Sequence, residues 1–156
     1  MIIEVATFED LNEIQRLNKM LFDYEHNNFD KTFNLEWTFG EIGTKYFSDS
    51  ITDENACALV AKDGDKIVGY LVGWMKDKDN PCRVFKKQAE LENMFISEEY
   101  RGKNVGSKLV ERFIDWAKKS GAGNIRVATA AKNDKAIAFY RKCGFEDFEA
   151  VLEKKI

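Results

Sequence analysis

The segment Glu99-Tyr100-Arg101-Gly102-Lys103-Asn104-Val105-Gly106-Ser107 lies between an apolar strand-like run and an amphipathic helical run, and its residue types suit an anion. Small residues entering a helix leave backbone N–H groups unpaired at the positive end of the helix dipole, where a phosphate is stabilised. The spacing is not that of a nucleotide P-loop, because Gly102 and Gly106 are separated by three residues and Ser107 precedes Lys108; nor is it G-x-G-x-x-G. A basic turn capping a helix without any ligand would look the same.

Two carboxylates stand just upstream. Glu90 and Glu92 are two positions apart in a run that reads as a strand, so in the absence of a bulge both leave the same face as Met94 and Ile96. A carboxylate there can take a proton from an ammonium group or simply attract one; a solvated strand face would carry the same residues. The three cysteines, Cys57, Cys82 and Cys143, lack C-x-x-C spacing and the single His26 cannot complete a ligand set, so no metal site is expected. A nucleophilic Cys143 would want a nearby base such as histidine, and His26 is far away in sequence, which argues against a covalent enzyme intermediate.

The elements that must position these groups follow from periodicity. Residues 2 to 7 alternate as a short strand does and run into Thr7-Phe8-Glu9-Asp10, a helix start resembling a capping box. Leu11, Ile14, Leu17, Leu21 and Phe22 then mark one face of a helix ending near His26-Asn27-Asn28. Residues 29 to 50, rich in aromatics, read as one irregular helix. Residues 56 to 61 and 67 to 75 are apolar runs divided by Asp63-Gly64-Asp65, hence a hairpin of central strands covered on both faces. A charged loop around residues 77 to 81 leads to a strand at 88 to 96. Val105, Leu109, Phe113 and Trp116 form a helical stripe that stops at Ser120-Gly121-Ala122-Gly123. Residues 125 to 130 read as a strand, 134 to 143 as a helix closed by Gly144, and 145 to 156 as a last extended segment. The order β-α-α-β-β-β-α-β-α-β describes a mixed α/β (α+β) domain over residues 1 to 156, with antiparallel strands first and a parallel crossover after them.

Two motifs within this order resemble those of the GNAT superfamily of acyl-CoA-dependent N-acyltransferases. That family carries [QR]-x-x-G-x-[GA] at the strand-to-helix turn, and Arg101 to Gly106 match it except at the first glycine, where Asn104 stands. Asparagine tolerates a left-handed backbone better than other non-glycine residues, so the turn is expected to keep its shape. The second signature, N-x-x-A-x-x-x-Y-x-[KR]-x-G-F, is met at every named position by Asn133, Ala136, Tyr140, Lys142, Gly144 and Phe145.

The resemblance, running over about residues 88 to 148, implies a GNAT-like fold. Its central sheet is mostly antiparallel, with helices on both faces, and the two parallel strands ahead of the motifs splay apart to admit the pantetheine arm of CoA like an extra strand. On that resemblance Met94, Phe95 and Ile96 line the pantetheine and the Met94 N–H polarises the thioester carbonyl. The N–H groups of Arg101, Gly102, Lys103, Asn104, Val105, Gly106 and Ser107 would hold the pyrophosphate, and Asn133 belongs to the cofactor-binding motif. Tyr140 takes the position of the acid that protonates the CoA sulfur. Glu90 falls where histone-acetylating members keep their base, and Glu92 is nearer the thioester along the strand; either could serve.

The implied activity is direct transfer of an acetyl group from acetyl-CoA to a primary amine, without a metal. The acidic residues Asp23, Glu25, Asp30, Glu36 and Glu41 favour a small polyamine or aminoglycoside-like acceptor over a peptide amine. The alternatives are a non-catalytic acyl-CoA-binding module on the same fold, and an interaction surface built on the aromatic-rich segment.

Composition bounds the remaining classes. A chain of 156 residues, 44% hydrophobic and 33% charged with one proline, has the size and make-up of one compact domain and not of a collagen-like or disordered protein. The net charge of −3 and the dispersed lysines and arginines give no field for nucleic acid. The first residues turn acidic at Glu4 and lack a signal-peptide pattern, and no apolar run approaches the roughly 20 residues that cross a bilayer, so a cytoplasmic protein with no membrane partner is expected. Eleven residues follow Phe145, too few for a long terminal hairpin, so one wall of the acceptor site is expected to be open or closed by the second subunit of a homodimer.

Overall fold

The two apolar runs after residue 55 form the centre of the sheet in the computed structural model, which describes all residues except 78–80 and 85–86. They are β2 (Ala56–Asp63) and β3 (Lys66–Asp77), joined where Gly64 takes φ +60. The N-terminal alternation becomes β1 (Ile2–Val5), paired antiparallel to β2, and β4 (Lys87–Ile96) pairs antiparallel to β3. A short β5 (Asn124–Val127) pairs parallel to β4, giving a five-stranded sheet in the order β1-β2-β3-β4-β5. The helices are α1 (Leu11–Asn28), α2 (Glu41–Thr52), α3 (Val105–Lys119) and α4 (Asp134–Lys142). Three of the five positions of the charged loop expected at 77 to 81, residues 78–80, lie outside the described residues.

Each face of the sheet has its own core. Leu59, Leu71 and Leu91 pack with Val105, Leu109 and Phe113 of α3, and Phe139 of α4 lies against the same cluster. On the opposite face Val60, Tyr70 and Val72 pack with Ile14 and Leu17 of α1 and Phe47 of α2. Each fully buried side chain of this size contributes about 1.5–3 kcal/mol through removal of apolar surface from water. A buried polar chain ties the α1–α2 connection to the sheet: Thr38 Oγ1 donates to Asn18 Oδ1 at 2.7 Å, and the Asn18 amide donates to Tyr70 Oη at 2.9 Å.

Three features differ from the periodicity. Residues 29 to 40 are not part of one irregular helix; the helix begins at Glu41 after Gly40, whose extended backbone caps it. Asp30 accepts from the Thr32 N–H at 2.8 Å and Asn34 from the Glu36 N–H at 3.0 Å, local turns that compete with helical bonding. The segment from 145 to 156 carries no strand, since it is held to the domain by side-chain pairs, Arg141 to Asp147 and Arg126 to Glu149, in place of a ladder. Finally, β3 opposes β4 at Val72 with Asn93 and then at Gly73 with Leu91, so Glu92 is an extra residue that bulges from β4.

Candidate active site

The pairing of β5 ends at Val127 opposite Leu91, whereas β4 continues to Ile96, so the last half of β4 has an open edge on the β5 side. Which groups face that edge follows from alternation. The Ser97 N–H donates to the Val68 carbonyl at 2.9 Å, so Phe95 also directs its backbone groups to β3, while Met94 and Ile96 direct theirs to the open edge. The Ile96 carbonyl accepts from Arg101 Nε at 3.0 Å, in keeping with that direction. Phe95 therefore stands apart from its two neighbours: its ring is buried in the α1–α2 core, beneath the Arg101 guanidinium at 5.2 Å from the ring centroid.

Beyond β4 the chain makes a single 3-10 turn, Glu98–Tyr100, and enters α3 through the glycine-bearing turn. Gly102 takes φ +74 and Asn104 takes φ 62, ψ 12, the left-handed conformation that asparagine accommodates. The first bond within the helix runs from the Lys108 N–H to the Asn104 carbonyl at 3.1 Å, so the N–H groups of Val105, Gly106 and Ser107 emerge from the helix end without intrahelical acceptors. Gly106 also lets α4 pack closely, since a Cβ there would come within 3.0 Å of the Phe139 ring, which would have to give by a few tenths of an ångström. The left-handed backbone makes a prediction for position 104. Asn104→Gly should leave the Tm close to that of the parent, whereas Asn104→Val should destabilise by about 1–2 kcal/mol, read in a melting curve as a drop of roughly 3–6 °C.

The bulge corrects one expectation. Glu90 and Glu92 do not share the face of Met94 and Ile96: Ala89, Leu91, Met94 and Ile96 pack on the α3 side, so the alternation slips between Leu91 and Met94. The Glu92 carboxylate instead meets α2 on the other face. Tyr46 Oη donates to Glu92 Oε2 at 2.6 Å, Lys76 Nζ lies 2.7 Å from Glu92 Oε1, and the Asn93 amide donates to Tyr46 Oη at 3.0 Å. Burial, followed by the neighbouring Glu92 charge, pushes the Tyr46 phenol well above its ordinary range, so it stays a donor. Asn93 Oδ1 is buried beside this cluster without a hydrogen-bond partner among the described residues. Glu90 and Glu92 line a cleft of about 400 Å³ together with Leu91, Arg126 and Ala128, at the point where β5 ends.

The second motif builds the wall next to α3. Asn133 caps α4, its Oδ1 accepting from the Ala136 N–H at 3.1 Å, and its amide reaches Glu25 Oε1 of α1 at 3.4 Å. Burial raises the Glu25 carboxyl above the usual range, and the Asn133 bond partly offsets this. Tyr140 is wedged between Phe139 and Phe145, with ring centroids 5.2 and 5.6 Å away. Burial pushes its phenol up as well, far into the protonated range at neutral pH. Tyr140 is not among the residues lining the 400 Å³ cleft; the structure brings the two glutamates together there and leaves Tyr140 on α4. Sequence reading missed Tyr46, Lys76 and Arg126, which reach Glu92 and the cleft from three other elements; no local spacing connects them. Among the described residues no group of three or more histidine, cysteine or acidic side chains is placed to hold a metal ion, and no helix is long and apolar enough to cross a membrane.

The bovine thialysine N-epsilon-acetyltransferase is 32% identical over 146 residues, covering 93% of this chain and 84% of that protein. An uncharacterised N-acetyltransferase of Methanocaldococcus jannaschii is 33% identical over 42% of this chain, and N-alpha-acetyltransferase 30 of Schizosaccharomyces pombe is 30% identical over 56% of it. The matched stretches span only 29% and 56% of those two proteins' own lengths. Among solved structures, a mutant BH1408 protein of Bacillus halodurans superposes with a TM-score of 0.89 at 23% identity, covering 100% of this chain and 99% of that one. An aminoglycoside N-acetyltransferase in complex with CoA superposes with a TM-score of 0.76 at 15% identity, covering 99% of this chain and 98% of that one. These two likenesses establish the fold, a mixed sheet with a parallel β4–β5 pair and helices on both faces. A family model for the acetyltransferase (GNAT) family matches residues 15–145, which contain the open edge of β4, the turn at Asn104 and the Asn133–Tyr140 helix, and the chain belongs to that family.

Proposed function

We propose that the protein is an acetyl-CoA-dependent N-acetyltransferase that passes the acetyl group directly to a primary amine. The observation that carries this reading is the continuity of the open β4 edge, at Met94 and Ile96, with the unpaired N–H groups at the start of α3. An extended amide-bearing arm that ends in phosphates suits both: the strand edge offers backbone donors and acceptors, and the helix end offers N–H groups to an anion. Asn104 keeps the left-handed turn that glycine would otherwise supply, so the residues present fit CoA. Acetyl-CoA supplies an activated acyl group as its thioester.

The chain's own residues would do the rest. The Met94 N–H, aimed at the open edge, polarises the acyl carbonyl. Glu92 or Glu90 takes a proton from the incoming ammonium, because only the neutral amine is nucleophilic. Tyr140, kept protonated by burial, hands a proton to the departing sulfur. Burial also raises the Cys143 thiol, so it is a poor thiolate and supports transfer without an acyl-enzyme.

The test is the Tm with and without acetyl-CoA, followed by thiol release over an amine panel. A ligand at 100 times its Kd stabilises by about 2.7 kcal/mol, which for this size raises the Tm by roughly 5–10 °C. No rise at millimolar acetyl-CoA would overturn the reading. A rise with no thiol release for any amine would favour the non-catalytic acyl-CoA-binding module.

A further inference from the structure

The cleft at the end of β5 holds both signs of charge. Parallel pairing places Glu90 of β4 opposite Arg126 of β5, and both side chains line the cleft with Glu92. A site for a purely cationic amine gains nothing from a guanidinium at its wall, whose desolvation and repulsion would oppose the ligand. The planar fork of arginine is instead suited to a carboxylate, which it binds through two parallel N–H bonds.

We propose that the amine acceptor also carries a carboxylate, that Arg126 binds this carboxylate, and that the Glu90–Glu92 side of the cleft receives the ammonium; the proposal rests on the transferase reading above. The current partner of Arg126 carries the argument one step further. Arg126 Nη2 lies 2.6 Å from Glu149 Oε2, with side chains 38% and 49% exposed, and Glu149 belongs to the C-terminal segment that has neither helix nor strand. Exposed pairs of this kind contribute little net stability, because solvent screens them and ordering two long side chains opposes them. A ligand carboxylate can therefore exchange with Glu149 at small cost. Lys76 of β3, equally exposed, differs in its partner: it lies 2.7 Å from Glu92, which is only 26% exposed and also accepts from Tyr46. Glu149 thus stands where the ligand's carboxylate would bind and competes with it.

The experiment compares amines that differ only in that group: lysine with cadaverine, ornithine with putrescine, and phenylalanine with phenethylamine. In at least one pair the amino acid should exceed its decarboxylated counterpart by at least about tenfold in kcat/KM. Arg126→Gln should collapse this ratio to within about threefold, and Glu149→Gln should lower the amino acid's KM by about threefold without moving that of its counterpart. Calorimetric titration of the CoA-saturated protein should give the same preference in Kd, a readout that does not depend on turnover. Decarboxylated amines used equally well, Arg126→Gln lowering both members of a pair alike, or acetylation confined to amines without a carboxylate would each overturn the proposal. Absence of both transfer and any acetyl-CoA-induced rise in Tm would instead overturn the transferase reading beneath it.

Discussion

Replacing Tyr140 by phenylalanine is expected to lower kcat by at least about 10²-fold, the lower end of what general acid catalysis contributes, while acetyl-CoA still raises the Tm of the variant. The substitution removes one oxygen from a ring whose packing against Phe139 and Phe145 is otherwise untouched. Folding and cofactor binding should therefore survive, and the loss should fall on the chemical step. A proton delivered only as the sulfur departs is an interaction of the transition state, so kcat and kcat/KM should drop together with KM nearly constant. The pH profile gives an independent check. Burial holds the phenol above its ordinary value, which is near 10, so it is protonated throughout the neutral range. Tyr140 therefore does not set the acidic limb of the rate, which should sit at the same pH in Tyr140→Phe as in the parent. A single-turnover assay of thiol release separates these outcomes, and an unchanged rate would remove Tyr140 from the mechanism.

How much of this was legible in the sequence depended on whether the signal was local. The turn at Asn104 and the cap at Asn133 are set by residues within a few positions of each other, and both appear where the spacing puts them. The hairpin at Gly64 and the two covered strands are likewise local matters of a turn residue and continuous apolar runs. The aromatic segment misled because its rings suggested one helix, while the polar residues between them, Asp30 and Asn34, carry the stronger local preference and turn the chain before Gly40. The side of the sheet to which the glutamates turn was not legible at all. It depends on one extra residue in β4, and that residue is extra only relative to β3, so the information lies in a pairing between distant stretches. The same holds for Tyr46, whose bond to Glu92 spans 46 positions.

That bulge rests on a glycine, which gives the largest stability prediction. Gly73 is the β3 residue at the register shift, and a Cβ there would lie 2.4 Å from Phe113 Cε2 and 2.6 Å from the Glu90 carbonyl oxygen. Neither neighbour can yield cheaply. Phe113 is fully buried beneath α3, and the Glu90 oxygen is backbone in the stretch of β4 that carries the bulge. Gly73→Ala should therefore destabilise by about 1–3 kcal/mol, as overpacking of a filled core does, lowering the Tm by roughly 3–10 °C. Relief requires β4 to move at the bulge, which would turn Glu92 away from Tyr46 and lower activity beyond the loss of folded protein. Combining Gly73→Ala with Phe113→Leu separates the two contacts: stability should return in part because the ring no longer meets the Cβ, while activity should not, because the clash with the Glu90 backbone remains. Full recovery of both would mean that Phe113 alone dictates glycine at position 73, and that the bulge holds Glu92 in place without it.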